Sequence, residues 1–273
     1  MDNTPQPLYI VDDNFSDFDI LRGTFIIEGS HYADMLMNAL RWPDRIRGII
    51  CRSESSAVKH LPPCHLYLDL DKDNYEGYLR ELYRFHPQKV SFRIWRDKTV
   101  LDPALKYLYP FKYELDVAGI VDILSRDELE GLIDTFFHRE GLLLSIQPLS
   151  QMVKAFLYSQ EFDLWRVMMF RPEEVMSIVD GSVGYCGAGN GLRKLGEYRN
   201  GKISYTDEHE IFVAGLNDFQ SSPDCTLCDY YFSCKGAPSH LFGRCDNWRL
   251  LFERVHQETG QLRAHFSRQQ PAP

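Results

Sequence analysis

Short apolar runs alternate with helical spacings along the first two thirds of the chain. Leu8 to Val11 and Thr24 to Ile27 have strand character, and a helix follows Ser30, with Tyr32, Met35, Leu36, Ala39 and Leu40 at helical spacing. A more regular series comes next. Strand-like runs stand at Arg47–Cys51, His65–Leu70, Val90–Trp95, Tyr113–Val117, Leu142–Ile146 and Trp165–Phe170, separated by the length of a βα unit. Between them, Tyr75 to Phe85 carries apolar residues at 75, 78, 79, 82 and 83. Ser125 to His138 opens with Ser-Arg-Asp-Glu, in which Ser125 and Glu128 satisfy free backbone N–H groups reciprocally. Strands alternating with helices predict an α/β chain with a parallel sheet and right-handed crossovers, either an open barrel or a doubly wound sheet.

After about residue 175 the texture changes. Glycines stand at 181, 184, 187, 189, 191, 196 and 201, and helical spacing fades until Asp246. This segment reads as a small loop-rich domain in which metal coordination substitutes for a missing core. A final helix is expected from about Trp248 to Phe266, followed by a polar tail. The expected division is therefore 1–45, an N-terminal extension of strands plus a helix; 46–178, six βα units; 179–247, a cysteine-bearing domain; and 248–273, the terminal helix and tail.

Composition narrows the chemistry. With 44% apolar and 25% charged residues the chain can build an ordinary core, and its net charge of -9 argues against a protein that mainly coats nucleic acid. The N-terminus lacks a basic segment followed by an apolar run, and no apolar stretch is long enough to span a bilayer, so a cytoplasmic protein is expected. Of seven cysteines, four crowd into 21 positions, which in a reducing compartment reads as metal binding rather than a disulfide framework. The segment runs Cys225-Thr-Leu-Cys228, five residues, Cys234, ten residues, Cys245. A C-x2-C step lets two thiolates on one turn face a single centre, and the other two close a four-coordinate site. Pro223, Gly236, Pro238 and Gly243 permit the tight turns such a knuckle needs. All-thiolate ligation suits an iron–sulfur cluster or zinc; the uneven gaps fit a paired-knuckle zinc ribbon poorly and sit more easily with a cluster.

These residues resemble the SPASM domain, the auxiliary-cluster domain of many radical S-adenosylmethionine enzymes. Cys186 opens the family pattern, Gly201 follows after fourteen residues, and Cys225, Cys228, Cys234 and Cys245 match later positions. Two expected cysteines are replaced by Thr206 and Pro238. The resemblance implies one complete ligand set, Cys225, Cys228, Cys234 and Cys245, holding one [4Fe-4S] cluster (or Zn2+), with the second set empty and Cys186 left over. It also implies that the preceding βα units form a degenerate partial (β/α)6 barrel. The barrel signature C-x3-C-x2-C after the first strand is missing: after Arg47–Cys51 the chain reads Cys51-Arg-Ser-Glu-Ser55-Ser-Ala-Val58, with no Gly-Gly-Glu-type turn after the next strand. S-adenosylmethionine binding is therefore not expected. The chain is similar to pseudo-radical-enzyme proteins, which implies a non-catalytic accessory or scaffold role beside a radical enzyme or its precursor peptide. An atypical radical or redox enzyme, and a zinc-stabilised interaction domain, are the alternatives.

Other constellations read more plainly. Asp69, Asp71 and Asp73 begin like a calcium loop, but Asn74 and Arg80 occupy the glycine and acid positions, so a solvated strand end is expected. Gly187, Gly189 and Gly191 imitate a nucleotide loop without a following helix. Glu114 and Asp116 share one strand face, a half-polar strand or the lining of a relic cavity. His240 is the one histidine placed to replace a thiolate, and Cys51 and Cys64 read as buried small residues. Tyr107, Tyr109, Phe111 and Tyr113 alternate around Pro110 and are expected to pack, with an exposed partner edge as the rival reading.

Overall fold

Apolar residues at alternate positions bury one face of the parallel strands, and each crossover returns the chain to the same end of the sheet. The computed structural model describes residues 7–52, 55–95, 97–160, 162–167, 175–187, 191–220, 225, 227–236 and 245–269. Its strands are β1 (Leu8–Asp12), β2 (Thr24–Gly29), β3 (Ile46–Cys51), β4 (His65–Asp69), β5 (Val90–Arg93), β6 (Glu114–Asp116) and β7 (Ser145–Gln147), then β8 (Val175–Val179), β9 (Ser182–Gly187), β10 (Gly191–Arg199) and β11 (Lys202–Tyr205). The helices are α1 (Tyr32–Arg41), α2 (Tyr75–Arg80), α3 (Leu101–Leu108), α4 (Arg126–His138), α5 (Leu149–Tyr158), α6 (Leu164–Val167), α7 (Asp207–Gln220), α8 (Tyr231–Cys234) and α9 (Asp246–Gln269).

All eleven strands belong to one sheet, ordered β11-β10-β9-β8-β1-β2-β3-β4-β5-β6-β7. Strands β1 to β7 pair in parallel with their sequence neighbours, and β8 returns to lie parallel to β1. From β8 onward pairing is antiparallel. The sheet ends at β7 on one side and β11 on the other, and does not close.

Three expectations change here. The first 45 residues are not an appendage: β1 and β2 stand between β8 and β3 in the middle of the sheet. The run at Trp165–Phe170 was expected to be a strand, but Leu164–Val167 is helical and 168–174 lie outside the described residues. Residues 46–178 therefore supply β3 to β7 and the start of β8, while β1 and β2 precede them. Third, the loop-rich reading of 179–247 missed β9, β10, β11 and α7. Two of these turns are two-residue loops with both residues at positive φ: Asp180 (47°) with Gly181 (72°), and Asn200 (50°) with Gly201 (76°). Such turns match the right-handed twist of the strands they join, and Asn-Gly and Asp-Gly are their sequence mark.

The capping box expected at α4 is present, with Ser125 and Glu128 satisfying each other's backbone N–H groups. Helix α9 packs on α4 and α5. Its first turn is anchored by the buried Trp248, whose indole N–H donates to Asp122 Oδ2 (3.1 Å), and by Asn247, which donates to the carbonyls of Val121 and Leu124 at 2.7 and 2.8 Å.

The two faces of the parallel strands differ. One face carries Val11, Phe25, Ile27, Ile49, Leu66, Leu68, Phe92, Leu115 and Ile146 into the main core with the helices. The other face carries only a small apolar patch of Ile10, Ile26, Ile50 and Val175, flanked by Leu8 and Tyr67. Across β4 to β7 it is polar. Strand register lines up Tyr67, Ser91, Glu114 and Ser145 in one row, and Asp69, Arg93, Asp116 and Gln147 in the next. Parallel sheets are normally covered by apolar contacts on both faces, so a polar face marks a cavity.

Candidate functional site

The loop after β1, residues 13–23, opens the parallel series and holds no cysteine. Asp13 Oδ2 accepts from the backbone N–H groups of Ser30 (3.1 Å) and His31 (3.0 Å) and lies 2.8 Å from His31 Nδ1. Burial opposes ionisation of Asp13, but these donors outweigh it and hold the carboxyl below its usual range. A Cβ on Gly29 would stand 2.2 Å from Asp13 Oδ2, so the close approach requires glycine. Tyr198 on β10 donates to Asp17 Oδ2 at 2.8 Å, tying the same loop to the β-hairpins.

The cysteine segment lies against α9. Tyr230 stacks on Phe252, with ring centroids 5.4 Å apart, and anchors the turn that leads into α8. The Cys228 N–H donates to the Cys225 carbonyl at 3.1 Å, and Tyr231 N–H donates to the Cys228 carbonyl at 3.0 Å. Lys235 (φ 48°) and Gly236 (φ 76°) then reverse the chain, which lets the Gly236 N–H donate to Cys234 Sγ at 3.3 Å. An amide aimed at sulfur stabilises a thiolate ligand. Cys245 precedes α9, and its carbonyl accepts from Arg249 N–H at 2.8 Å.

Burial pushes Cys234 up to about 11, the Gly236 N–H works against this, and Cys228, Cys225 and Cys245 each push it higher. Four cysteine thiolates are the donor chemistry of an iron–sulfur or zinc centre. Arg249, paired with Glu253 at 3.0 Å, also feels the charges of Cys228 and Cys245. Among the described residues, no three His, Cys, Asp or Glu side chains converge at the spacing a bound ion needs. Cys225, Cys228, Cys234 and Cys245 influence one another through charge without converging on one point. His240 and Pro238 lie outside the described residues, as does the side chain of Cys186. Thr206 donates its hydroxyl to the Leu195 carbonyl at 3.0 Å, a structural role ahead of α7.

A second site lies on the polar face of the sheet. A cleft of about 420 Å³ is lined by Tyr67, Glu114, Asp116, Gln147, Lys154 and Asp163 among others. The half-polar strand at Glu114 and Asp116 is thus a cavity wall. Ser91 Oγ donates to Glu114 Oε1 (3.1 Å), and Gln147 Nε2 donates to Glu114 Oε2 (3.0 Å). Beside them Arg93, 4% exposed, lies 3.2 Å from Asp69 and 4.6 Å over the Trp95 ring. Burial disfavours the Arg93 charge, but Asp69, Asp116 and Glu28 outweigh it. Arg52 bridges Glu28 and Asp69. Asp116 is raised to about 6, mainly by burial, against the pull of Arg93. The cleft and the cysteine segment meet where Lys235, next to Cys234, reaches Asp163 Oδ2 at 3.2 Å.

The remaining candidates resolve individually. Asp71 Oδ1 accepts from the N–H groups of Asp73 and Asn74, so it shapes the turn into α2. Gly187 and Gly191 pair across β9 and β10, on a hairpin rather than before a helix, and Gly189 lies outside the described residues. Cys51 is fully buried near the Tyr78 hydroxyl; Cys64 is half-buried. Tyr113 is buried and donates to the carbonyls of Leu82 and Phe85, while Tyr107 and Phe111 are exposed.

Sequence reading missed Ser91, Arg93, Gln147, Lys154 and Asp163. The signal for three of them was alternation: Ser91 and Arg93 around Phe92, and Gln147 beside Ile146, repeat the pattern of Glu114 and Asp116 around Leu115. Among the described residues no helix is long and apolar enough to cross a membrane. No protein-family profile, curated protein or solved structure matches this chain.

Proposed function

We propose that this chain is a non-catalytic, metal-holding accessory or scaffold protein, similar in build to a radical S-adenosylmethionine enzyme with a SPASM-like domain. In this reading it partners an active radical enzyme of that class or holds its precursor peptide, and one [4Fe-4S] cluster sits on Cys225, Cys228, Cys234 and Cys245. The observation that carries it is the Gly236 amide aimed at Cys234 Sγ, in a segment where Cys228, Cys225 and Cys245 all act electrostatically on that thiol. The cysteine-free loop after β1, fastened through Asp13, supports a non-catalytic role, because no ligand set for a radical-generating cluster stands at that strand end. The open, largely parallel sheet with one polar face is consistent with a degenerate partial barrel. When bound, a cluster cross-links the segment and offers a one-electron couple.

Oxygen-free purification, with iron, sulfide and zinc measured per chain, tests the centre. About four irons and matching sulfide support a single cluster. One zinc in a colourless protein moves the function to a zinc-stabilised interaction module. Calorimetry with S-adenosylmethionine tests the rest: heat of specific binding overturns the non-catalytic reading.

A further inference from the structure

The cysteines do not account for the cleft on the polar face, which is built for a ligand of its own. Its decisive group is Gln147, which is 7% exposed. The Gln147 Nε2 donates to Glu114 Oε2 at 3.0 Å and to Ser145 Oγ at 3.3 Å. That leaves Gln147 Oε1 buried with no partner among the described residues. Rotating the amide offers no remedy, because it would set Oε1 against the Glu114 carboxylate. A buried, unpaired acceptor costs free energy, so the wall lacks a donor.

Charge says what kind. Along one row, Asp69 and Asp116 flank one buried cation, Arg93, with Glu114 in the next row, while Arg52 is shared between Glu28 and Asp69. On the opposite wall Asp163 is paired with Lys235. Among the described residues, exposed Lys154 is the remaining cation of the lining. Counted over the described residues, the floor at Glu114 and Asp116 therefore holds more negative charge than the neighbouring cations neutralise. A neutral ligand would leave those carboxylates uncompensated, and an anion would be repelled.

We propose that this cleft binds an alkylammonium group, as carried by a lysine side chain or by a free diamine. The three N–H donors of an ammonium suit the Gln147 oxygen and the carboxylates of Glu114 and Asp116. Tyr67 and Phe162 line the cleft and give its methylene stem an apolar wall. The volume of about 420 Å³ accommodates one long side chain with flanking backbone. This site goes beyond the metal reading, and metal content is measured separately, so either can fail alone.

The test is calorimetric titration of the full chain with N-acetyl-lysine methylamide, its neutral norleucine counterpart and 1,4-diaminobutane. The lysine probe is expected to bind at least about tenfold tighter than the norleucine probe. Glu114→Gln should weaken it by a similar factor, while Lys154→Ala, at an exposed position that leaves the fold intact, should tighten it. Equal binding of lysine and norleucine probes overturns the proposal. So does an affinity unmoved by Lys154→Ala and by a folded Glu114→Gln. Both ammonium sources satisfy the chemistry: a tighter lysine probe identifies a peptide side chain, and a tighter diamine identifies a free amine.

Discussion

Asp116→Asn should make the protein more stable at neutral pH, because the carboxylate it replaces is ionised at a cost. Asp116 is raised from 3.8 to about 6, with burial the largest cause. The groups that act on it are Arg93, which lowers it, and Glu114 and Asp69, which raise it; the Ala118 N–H donates to Asp116 Oδ1 at 2.9 Å. A raised carboxyl binds its proton more tightly in the folded state. Its stabilising contribution is therefore fully present below about 3.8 and is lost as pH rises through about 6. Two pH units correspond to about 3 kcal/mol, an order-of-magnitude figure. Asparagine mimics the protonated acid and keeps an acceptor for Ala118. The variant should therefore match the wild type near pH 4 and exceed it by up to about 3 kcal/mol at pH 8, or about 6 °C in Tm for a chain of this size. Urea unfolding at pH 4 to 8 measures this directly. If the variant is less stable than wild type at pH 8, attraction to Arg93 outweighs burial. The assignment of excess negative charge to the cleft would then fall with it.

The other predictions concern particular anchors. Trp248→Ala should cost about 3–5 kcal/mol, read by denaturant unfolding, because it empties the anchor of α9 and removes the bond to Asp122. Ser125→Ala breaks the capping box and should cost about 1 kcal/mol, with Asp at the same position restoring most of it. Cys228→Ser should drop bound metal well below one centre per chain while the melting of the parallel sheet stays in place, since none of its strands uses that residue. Loss of both together would show that the segment is part of the sheet's folding unit.

Much of the architecture was legible in local pattern. The runs at β1 to β6, the helix after Ser30 and the capping box at Ser125 and Glu128 depend on side chains within one element, and local periodicity reports those. So do the four cysteines, whose spacing is itself the signal. The hairpins at Asp180-Gly181 and Asn200-Gly201 were equally local and were readable from their turn residues. What periodicity cannot report is strand order. Only pairing between distant segments placed β1 and β2 in the middle of the sheet and β8 beside β1, because the partners of a parallel strand lie far along the chain. The cleft has the same origin. Ser91, Glu114 and Gln147 come from three strands, and their hydrogen bonds exist only once the register aligns those strands. The amino-acid sequence determined which side chains are polar at alternate positions. Tertiary pairing decided that they share one wall, where burial and mutual charge give them the chemistry that no single segment has.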